Sequence, residues 1–412
     1  MFLVIFFLKE VIELKIRLYF SGSMYKMQKT GGQKMKMLAA VLRETGAKRP
    51  YATSKPVQIE EVELAPPQAG ELMIKIAGGG LCHSDLSVIN GNRPRPTPLV
   101  LGHEGSGEVV EVGAGVRDIK VGDPIVFQFS ASCGVCSNCL GGKPQLCLTH
   151  DTARAKGHLM AGGSRLTDSK GKEIAHQSGV SCFAEYAVID RGTAVKVDKD
   201  LPLADAAIFG CAVMTGVGAV LNTARIRAGD TVACVGLGGV GLNGLLGAKL
   251  AGAEKIIAVD VNDDKLGLAR QLGATHTVNA KDKDHLEQIK DITAGGVDYA
   301  FEFAGSVAAT ETCYQSIKMG GQVIIAGLAP STSLFSFSPP DIVTSEKAIR
   351  GSYMGSCVPV RDIPRYIELY RQGKLAVDKL INKSIGFGEV NDGFDKLTDG
   401  LVIRQILEPH IA

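Results

Sequence analysis

The stretch Thr231–Gly252, TVACVGLGGVGLNGLLGAKLAG, decides the fold of this chain. TVACV reads as a buried strand, GLGGVG as a turn, and VGLNGLLGAKLAG as a helix. Gly236, Gly238 and Gly241 fit the pattern G-x-G-x-x-G. Without Cβ atoms they permit a tight turn, close approach of a pyrophosphate and close helix–strand packing. Gly239 and Val240 open the helix, whose free N–H groups and positive dipole end favour phosphate.

Reading outward, IIAVD ends at Asp260, 19 residues after Gly241. A carboxylate there would accept hydrogen bonds from ribose hydroxyls and repel a 2′-phosphate, which favours NAD over NADP. The bland alternative for Asp260 is a cap on the next helix. Helical and strand-like runs then alternate through DDKLGLARQLG, HTVNA, DHLEQIKDIT, VDYAFEFAG, VAATETCYQSIK and GQVIIAGL. Such alternation predicts a doubly wound parallel sheet.

Upstream the texture differs. From Lys36 to about Val197, short β-type runs such as LMIKIAGGG, EVVEVGAGV, DPIVF and FAEYAVI are split by Gly and Pro. This predicts a β-rich domain. After about Gly355 the strand–helix alternation stops, and a helix (RDIPRYIELYRQG) precedes the mixed tail LVIRQILEPHIA.

Two sets of metal ligands stand in the β-rich part. Cys133, Cys136, Cys139 and Cys147 follow C-x2-C-x2-C-x7-C. Four thiolates in one loop can close a tetrahedral zinc site, which leaves no open position and is structural. The bacterial iron–sulfur loop has a three-residue last gap and Pro after the final Cys; here the gap is seven and Pro144 precedes Cys147. A nucleic-acid zinc ribbon would carry basic flanks, and only Lys143 lies within the cluster. The second set is Cys82, His103 and Cys211. Cys82 opens the polar patch Cys82-His83-Ser84-Asp85, and His103 is flanked by glycines in LGHEG. Three protein ligands plus one open position is the arrangement of a catalytic zinc. Each residue alone has an ordinary reading, as a small buried thiol or a hydrogen-bonded imidazole.

The 412 residues suit two domains, and 45% hydrophobic with 21% charged residues is an ordinary globular composition. A formal net charge of +2 gives no electrostatic case for nucleic acid. Ten cysteines in a chain this long point to metal chemistry in a reducing cytosol rather than a disulfide framework. Residues 1–35 look foreign: the apolar MFLVIFFL is cut by Lys9 and Glu10, too short to span a bilayer, and no basic region precedes it. An over-extended start is the expectation, with Met24, Met27, Met35 or Met37 as alternative first residues; a membrane-surface helix is the alternative.

At CHSD, GHEGSGEV, the four-cysteine loop, FGCAVMTGVGA, GLGGVG, IIAVD with Lys265, and VIRQIL, the chain resembles the zinc-dependent medium-chain alcohol dehydrogenases from about Met37 onward. The resemblance implies an α/β fold: a GroES-like β-rich catalytic domain (36–212, returning at 355–412) and a Rossmann NAD-binding domain (213–354). It implies two zinc ions per chain, NAD, a small alcohol or aldehyde as substrate, and a cytoplasmic homodimer, with a tetramer as the alternative and no nucleic-acid or membrane partner. By position, Cys82, His103 and Cys211 would hold the catalytic zinc and Glu104 would approach it. Asp85 would orient His103, and Ser84 would take the substrate proton. Thr215 would lie by the nicotinamide, Asp260 and Lys265 by the adenosine ribose, and His83 and Arg404 by the pyrophosphate. The implied reaction is hydride transfer between a primary alcohol, aromatic alcohols among them, and NAD.

Two positions depart from the resemblance. Ser87 stands where liver-type enzymes often carry the His that ends the proton relay, so the relay is expected to end in water. Asp151 stands where the glutathione–formaldehyde branch carries Arg, so an anionic conjugate is expected to be repelled. Yet His150 to Ser181 resembles the longer branch that includes the glutathione enzymes, where dimers are usual. A glutathione-dependent formaldehyde or polyol dehydrogenase is therefore the near alternative. A non-catalytic NAD- or zinc-binding scaffold is the distant one, though a scaffold has no need of Cys82, His103, Cys211 and Ser84 together.

Overall fold

A computed structural model describes residues 33–411; the N-terminal extension read from the sequence lies outside them, save its last three residues. The glycine turn sits in a six-stranded parallel sheet. Its strands are β1 (Thr231–Val235), β2 (Lys255–Asp260), β3 (His276–Asn279), β4 (Val297–Glu302), β5 (Ile317–Ile325) and β6 (Ala348–Gly351), in the spatial order β3-β2-β1-β4-β5-β6. Helices cover both faces, so the strands bury side chains on both sides and read as continuous apolar runs. In β1, Val232 and Cys234 pack into one core with Leu242, Leu245 and Phe301, while Ala233 and Val235 face a second core with Ile257, Val259 and Val323.

The strand order reverses between β1 and β4. A doubly wound sheet binds ligands at such a switch point, beyond the carboxyl ends of its strands. Gly236 lies at the end of β1, Asp260 at the end of β2, and Glu302 at the end of β4.

The remainder is β-rich, as the broken runs predict. A small closed barrel joins Met35–Leu42, Val57–Leu64, Leu166–Thr167, Glu173–His176 and Leu99–Val100. Met35 already pairs with Leu64, so the first strand starts one residue before the boundary read from the sequence. A seven-stranded sheet is centred on Glu71–Gly80, which pairs antiparallel with Gly105–Val112 and Tyr186–Asp190. The C-terminal strand Arg404–Leu407 joins this sheet, with Ile406 opposite Gly80. The chain end thus returns to the β-rich part and sets Arg404 beside the cleft below β1. Among the described residues, no helix is long and apolar enough to cross a membrane.

Candidate active site

Three elements bring the second ligand set together. The strand Glu71–Gly80 delivers Cys82 at the cap of the helix His83–Ile89, Gly105–Val112 delivers His103 from just before its start, and Cys211 caps Ala212–Gly218. The ligand atoms of Cys82, His103 and Cys211 lie within 4.8 Å of one another, and all three residues are buried. Cys211 Sγ is 3.6 Å from His103 Nε2. A zinc ion with Zn–S near ~2.3 Å and Zn–N near ~2.0 Å requires ligand separations of this order. Two thiols and an imidazole around an open side suit zinc with one free position, so the residues present fit the metal.

A buried network fixes His103. Its Nδ1 lies 2.9 Å from Asp85 Oδ1. The same oxygen accepts from Gln177 Nε2 at 2.7 Å, and Asp85 Oδ2 accepts from the Cys82 amide at 3.1 Å. Gln177 Oε1 in turn accepts from the Gly102 amide at 2.9 Å. With Asp85 able only to accept, the proton is assigned to Nδ1, and Nε2 keeps its lone pair for a metal.

Glu104 is fully buried behind this set. Burial pushes its carboxyl up to about 7, against the lowering effect of the Arg404 guanidinium. Oε2 accepts from the Ala212 amide at 3.3 Å, whereas Oε1 has no hydrogen-bond partner and lies 3.5 Å from Arg404 Nε. Gly80 makes room for it, since a Cβ there would collide with Glu104 Oε1. Arg404 also donates to the Leu81 carbonyl at 2.7 Å, and its other terminal nitrogen abuts Gly239.

The cleft beside the ligand set has a volume of about 320 Å³. It is lined by Cys82, His83, Ser84, Cys211 and Thr215 at one end and by Gly236–Val240, Asp260 and Lys265 at the other, with Arg404 on its wall. The structure therefore brings the predicted cofactor residues to one groove, with Gly241 one turn inside the helix Gly239–Ala251. Gly236 has φ +92°, and a Cβ there would sit 2.6 Å from the Ala304 amide nitrogen. The helix begins where a pyrophosphate would meet its free N–H groups. This groove fits a dinucleotide.

Asp260 does more than the sequence suggested. Its Oδ2 accepts from the Leu237 amide at 2.6 Å and its Oδ1 from the Asn262 amide at 3.0 Å. The helix-capping alternative is taken by Asn262, whose side chain accepts from the amides of Asp264 and Lys265. Ser87 lines the cleft, but its hydroxyl donates to the His83 carbonyl at 2.8 Å.

The thiol sulfurs of Cys133, Cys136, Cys139 and Cys147 also lie within 4.8 Å of one another. A zinc tetrathiolate needs sulfurs ~3.8 Å apart for Zn–S near ~2.3 Å. Backbone amides already point at the sulfurs, from Cys136 to Cys133 Sγ at 3.3 Å and from Cys133 to Cys147 Sγ at 3.4 Å. The site stands in a surface lobe apart from the cleft lining and fits a closed structural metal.

One expectation is corrected. Asp151 is exposed and forms an ion pair with Arg154. It therefore cannot set the charge of the substrate end by itself. Sequence reading also missed Gln177, Arg93, Arg95, Phe129 and Tyr353, which line or support the substrate end. The one local signal was RPRPTP at 93–98, a basic segment stiffened by alternate prolines.

Comparison with known proteins bears on most of the chain. Residues 68–199 match the family model of the alcohol dehydrogenase GroES-like domain, and residues 239–372 match that of the zinc-binding dehydrogenases. A solved structure of an alcohol dehydrogenase zinc-binding domain protein from Burkholderia ambifaria is 33% identical with TM-score 0.86, over 92% of this chain and 100% of that one. Benzyl alcohol dehydrogenase from Acinetobacter calcoaceticus is 33% identical with TM-score 0.82, over 91% and 99%. A structure from Sinorhizobium meliloti 1021, bound to NADP, is 28% identical with TM-score 0.75, over 91% and 100%.

Proposed function

Because this chain belongs to the zinc-dependent medium-chain alcohol dehydrogenases, we propose that it catalyses the reversible oxidation of a primary alcohol to an aldehyde with NAD. The observation that carries the reading is the convergence of Cys82, His103 and Cys211 at the head of the dinucleotide groove. Zinc and the nicotinamide, when bound, supply the Lewis acid that acidifies the hydroxyl and the acceptor for the hydride.

The chain's own residues do the rest. Asp85 and Gln177 hold His103 in the tautomer that leaves Nε2 free. Ser84 takes the hydroxyl proton and hands it to water, because the Ser87 hydroxyl is engaged with the helix backbone. Thr215 borders the nicotinamide position, and Arg404 and His83 bear on the pyrophosphate. Asp260 and Lys265 hold the adenosine ribose, and the carboxylate favours NAD. Glu104, whose Oε1 has no hydrogen-bond partner, is the carboxylate that would approach a metal held there. Phe129, whose ring meets His103 edge-on at 5.4 Å, joins Leu328 and Tyr353 in an apolar wall suited to an aromatic alcohol.

We assign 36–212 and 355–412 to the catalytic domain and 213–354 to the cofactor domain. We further propose a homodimer, and a cytoplasmic location, which the absence of a disulfide among the described cysteines supports. The test is NADH formation by zinc-loaded protein over a panel of alcohols, with and without glutathione. No NAD reduction by any primary alcohol would refute the reading.

A further inference from the structure

A second cavity of about 40 Å³ adjoins the cleft. Ser84, Arg93, Phe129, Leu328 and Tyr353 line both, and His103 lines the second, so it opens off the metal-ligand set. Three guanidinium groups, Arg93, Arg95 and Arg154, line it, and no carboxylate does. Arg154 is partly compensated, donating to Tyr353 Oη at 2.9 Å and pairing with Asp151 on its outer side. The side chains of Arg93 and Arg95 have neither hydrogen bond nor ion pair among the described residues. Burial, with the nearby charges of Arg154 and Arg93, holds Arg95 below the usual guanidinium range.

We propose that this pocket is an anion subsite and that the substrate is a compact alcohol carrying a carboxylate, with its hydroxyl at the Cys82–His103–Cys211 set and its carboxylate among Arg93, Arg95 and Arg154. Converging like charges at the end of a cavity raise the energy of the empty site, and a carboxylate accepting from them relieves it. Size limits the anion: the side cavity, about 40 Å³, is much smaller than the adjoining cleft of about 320 Å³. A carboxylate on a ring fits there; a peptide does not. Pro94, Pro96 and Pro98 stiffen the segment that presents the two unpaired guanidiniums, so little backbone entropy is lost when they engage. The cofactor's phosphates are no rival for Arg95 and Arg154, which lie outside the lining of the dinucleotide cleft.

The inference rests on the alcohol dehydrogenase reading, and the experiment separates the two. Zinc-loaded full-length protein with NAD is given benzyl alcohol, meta- and para-(hydroxymethyl)benzoate, and S-hydroxymethylglutathione. The expected result is a kcat/KM for one of the two acids above that for benzyl alcohol by about tenfold or more, the scale of one charge-assisted hydrogen bond. In Arg95→Gln the acid-to-neutral ratio falls by about tenfold, and Arg95→Lys, which keeps the charge, retains part of it. A ratio at or below one in the wild type overturns the proposal, as does a ratio unchanged in Arg95→Gln. S-hydroxymethylglutathione as the best substrate overturns it too, since that substrate is a peptide and not a compact acid. If no alcohol is oxidised, the reaction reading falls, and calorimetric binding of para-(hydroxymethyl)benzoate to the zinc–NAD protein decides the subsite. Binding that weakens about tenfold in Arg95→Gln sustains it, and binding that is absent or unchanged removes it.

Discussion

The Leu237 amide donates to Asp260 Oδ2 at 2.6 Å, which ties the end of β2 to the glycine turn after β1. One carboxylate thus shapes the phosphate loop and presents negative charge where an adenosine ribose would lie. Two consequences can be separated. Asp260→Asn keeps an oxygen for the Leu237 amide but removes the charge.

The expected outcome is a fall in the NAD-to-NADP ratio of kcat/KM by about tenfold or more, since one charge in such a site is worth at least ~1.4 kcal/mol. Asp260→Ala should weaken both cofactors, because the loop loses its tether as well. Steady-state kinetics with both cofactors on the two variants checks this. An unmodified protein that used NAD and NADP equally would remove the role given to the carboxylate.

Gln177 holds Asp85 and the Gly102 amide at once, so it positions His103 without itself being a metal ligand. Gln177→Ala should weaken zinc affinity at the Cys82 set by about 10- to 100-fold, the range for a lost outer hydrogen bond. Gln177→Glu keeps the acceptor for Gly102 but sets a second carboxylate against Asp85, and should be the worse variant. Competition with a chelator, followed by metal analysis, reads both. A structural role alone would lower the melting temperature without changing metal affinity.

The glycine turn, the strand–helix alternation and the four-cysteine loop are legible because each is a local pattern with a fixed period or spacing. The position of Cys211 opposite Cys82 is not, since 129 residues and several sheet pairings separate them. Resemblance supplies that link, and the fold carries it through Glu104, for which Gly80 makes room and whose Oε2 accepts from the Ala212 amide beside Cys211. Arg93, Arg95 and Gln177 are not legible for the same reason: a guanidinium or an amide in a loop reads as surface until the fold sets it on a cavity wall. Asp151 shows the converse. Its substitution for Arg looked decisive in one dimension, and Arg154 on the same helix cancels it.

His176 gives a pH signature in the barrel. It is buried, and its Nε2 accepts from the Arg165 amide at 3.2 Å. Burial, helped by the Arg165 charge, pushes its pKa down to about 3. A depressed folded value contributes stability above the unfolded value near ~6.5, and that stability is lost as pH falls toward the folded one. His176→Gln keeps an acceptor for Arg165 but cannot titrate. Between pH ~6 and ~4, its loss of unfolding free energy should be shallower than the wild type's by up to about 1.4 kcal/mol per pH unit. Denaturant unfolding across that window measures it, and parallel curves would show that His176 is not the titrating group.

The two cysteine sets should fail differently when broken. Cys133, Cys136, Cys139 and Cys147 surround a closed site outside the cleft lining, so its metal acts on stability. Structural zinc is worth on the order of 10 kcal/mol in a small domain, and a lobe on a large domain should lose less than that. Cys136→Ser is expected to lower the melting temperature by several degrees and to release one zinc per chain, while the remaining folded protein still binds NAD. Cys82→Ser removes a ligand from the set that lines the cleft, and should also release one zinc. It should reduce turnover by several orders of magnitude, because the Lewis acid is lost where the alcohol binds. Its melting temperature and NAD affinity should change little, since the groove from Gly236 to Lys265 is untouched. Metal content, melting temperature, NAD affinity and turnover on the two variants separate the sites. Near-normal turnover in Cys82→Ser, with half its zinc gone, would move the reaction centre away from this set.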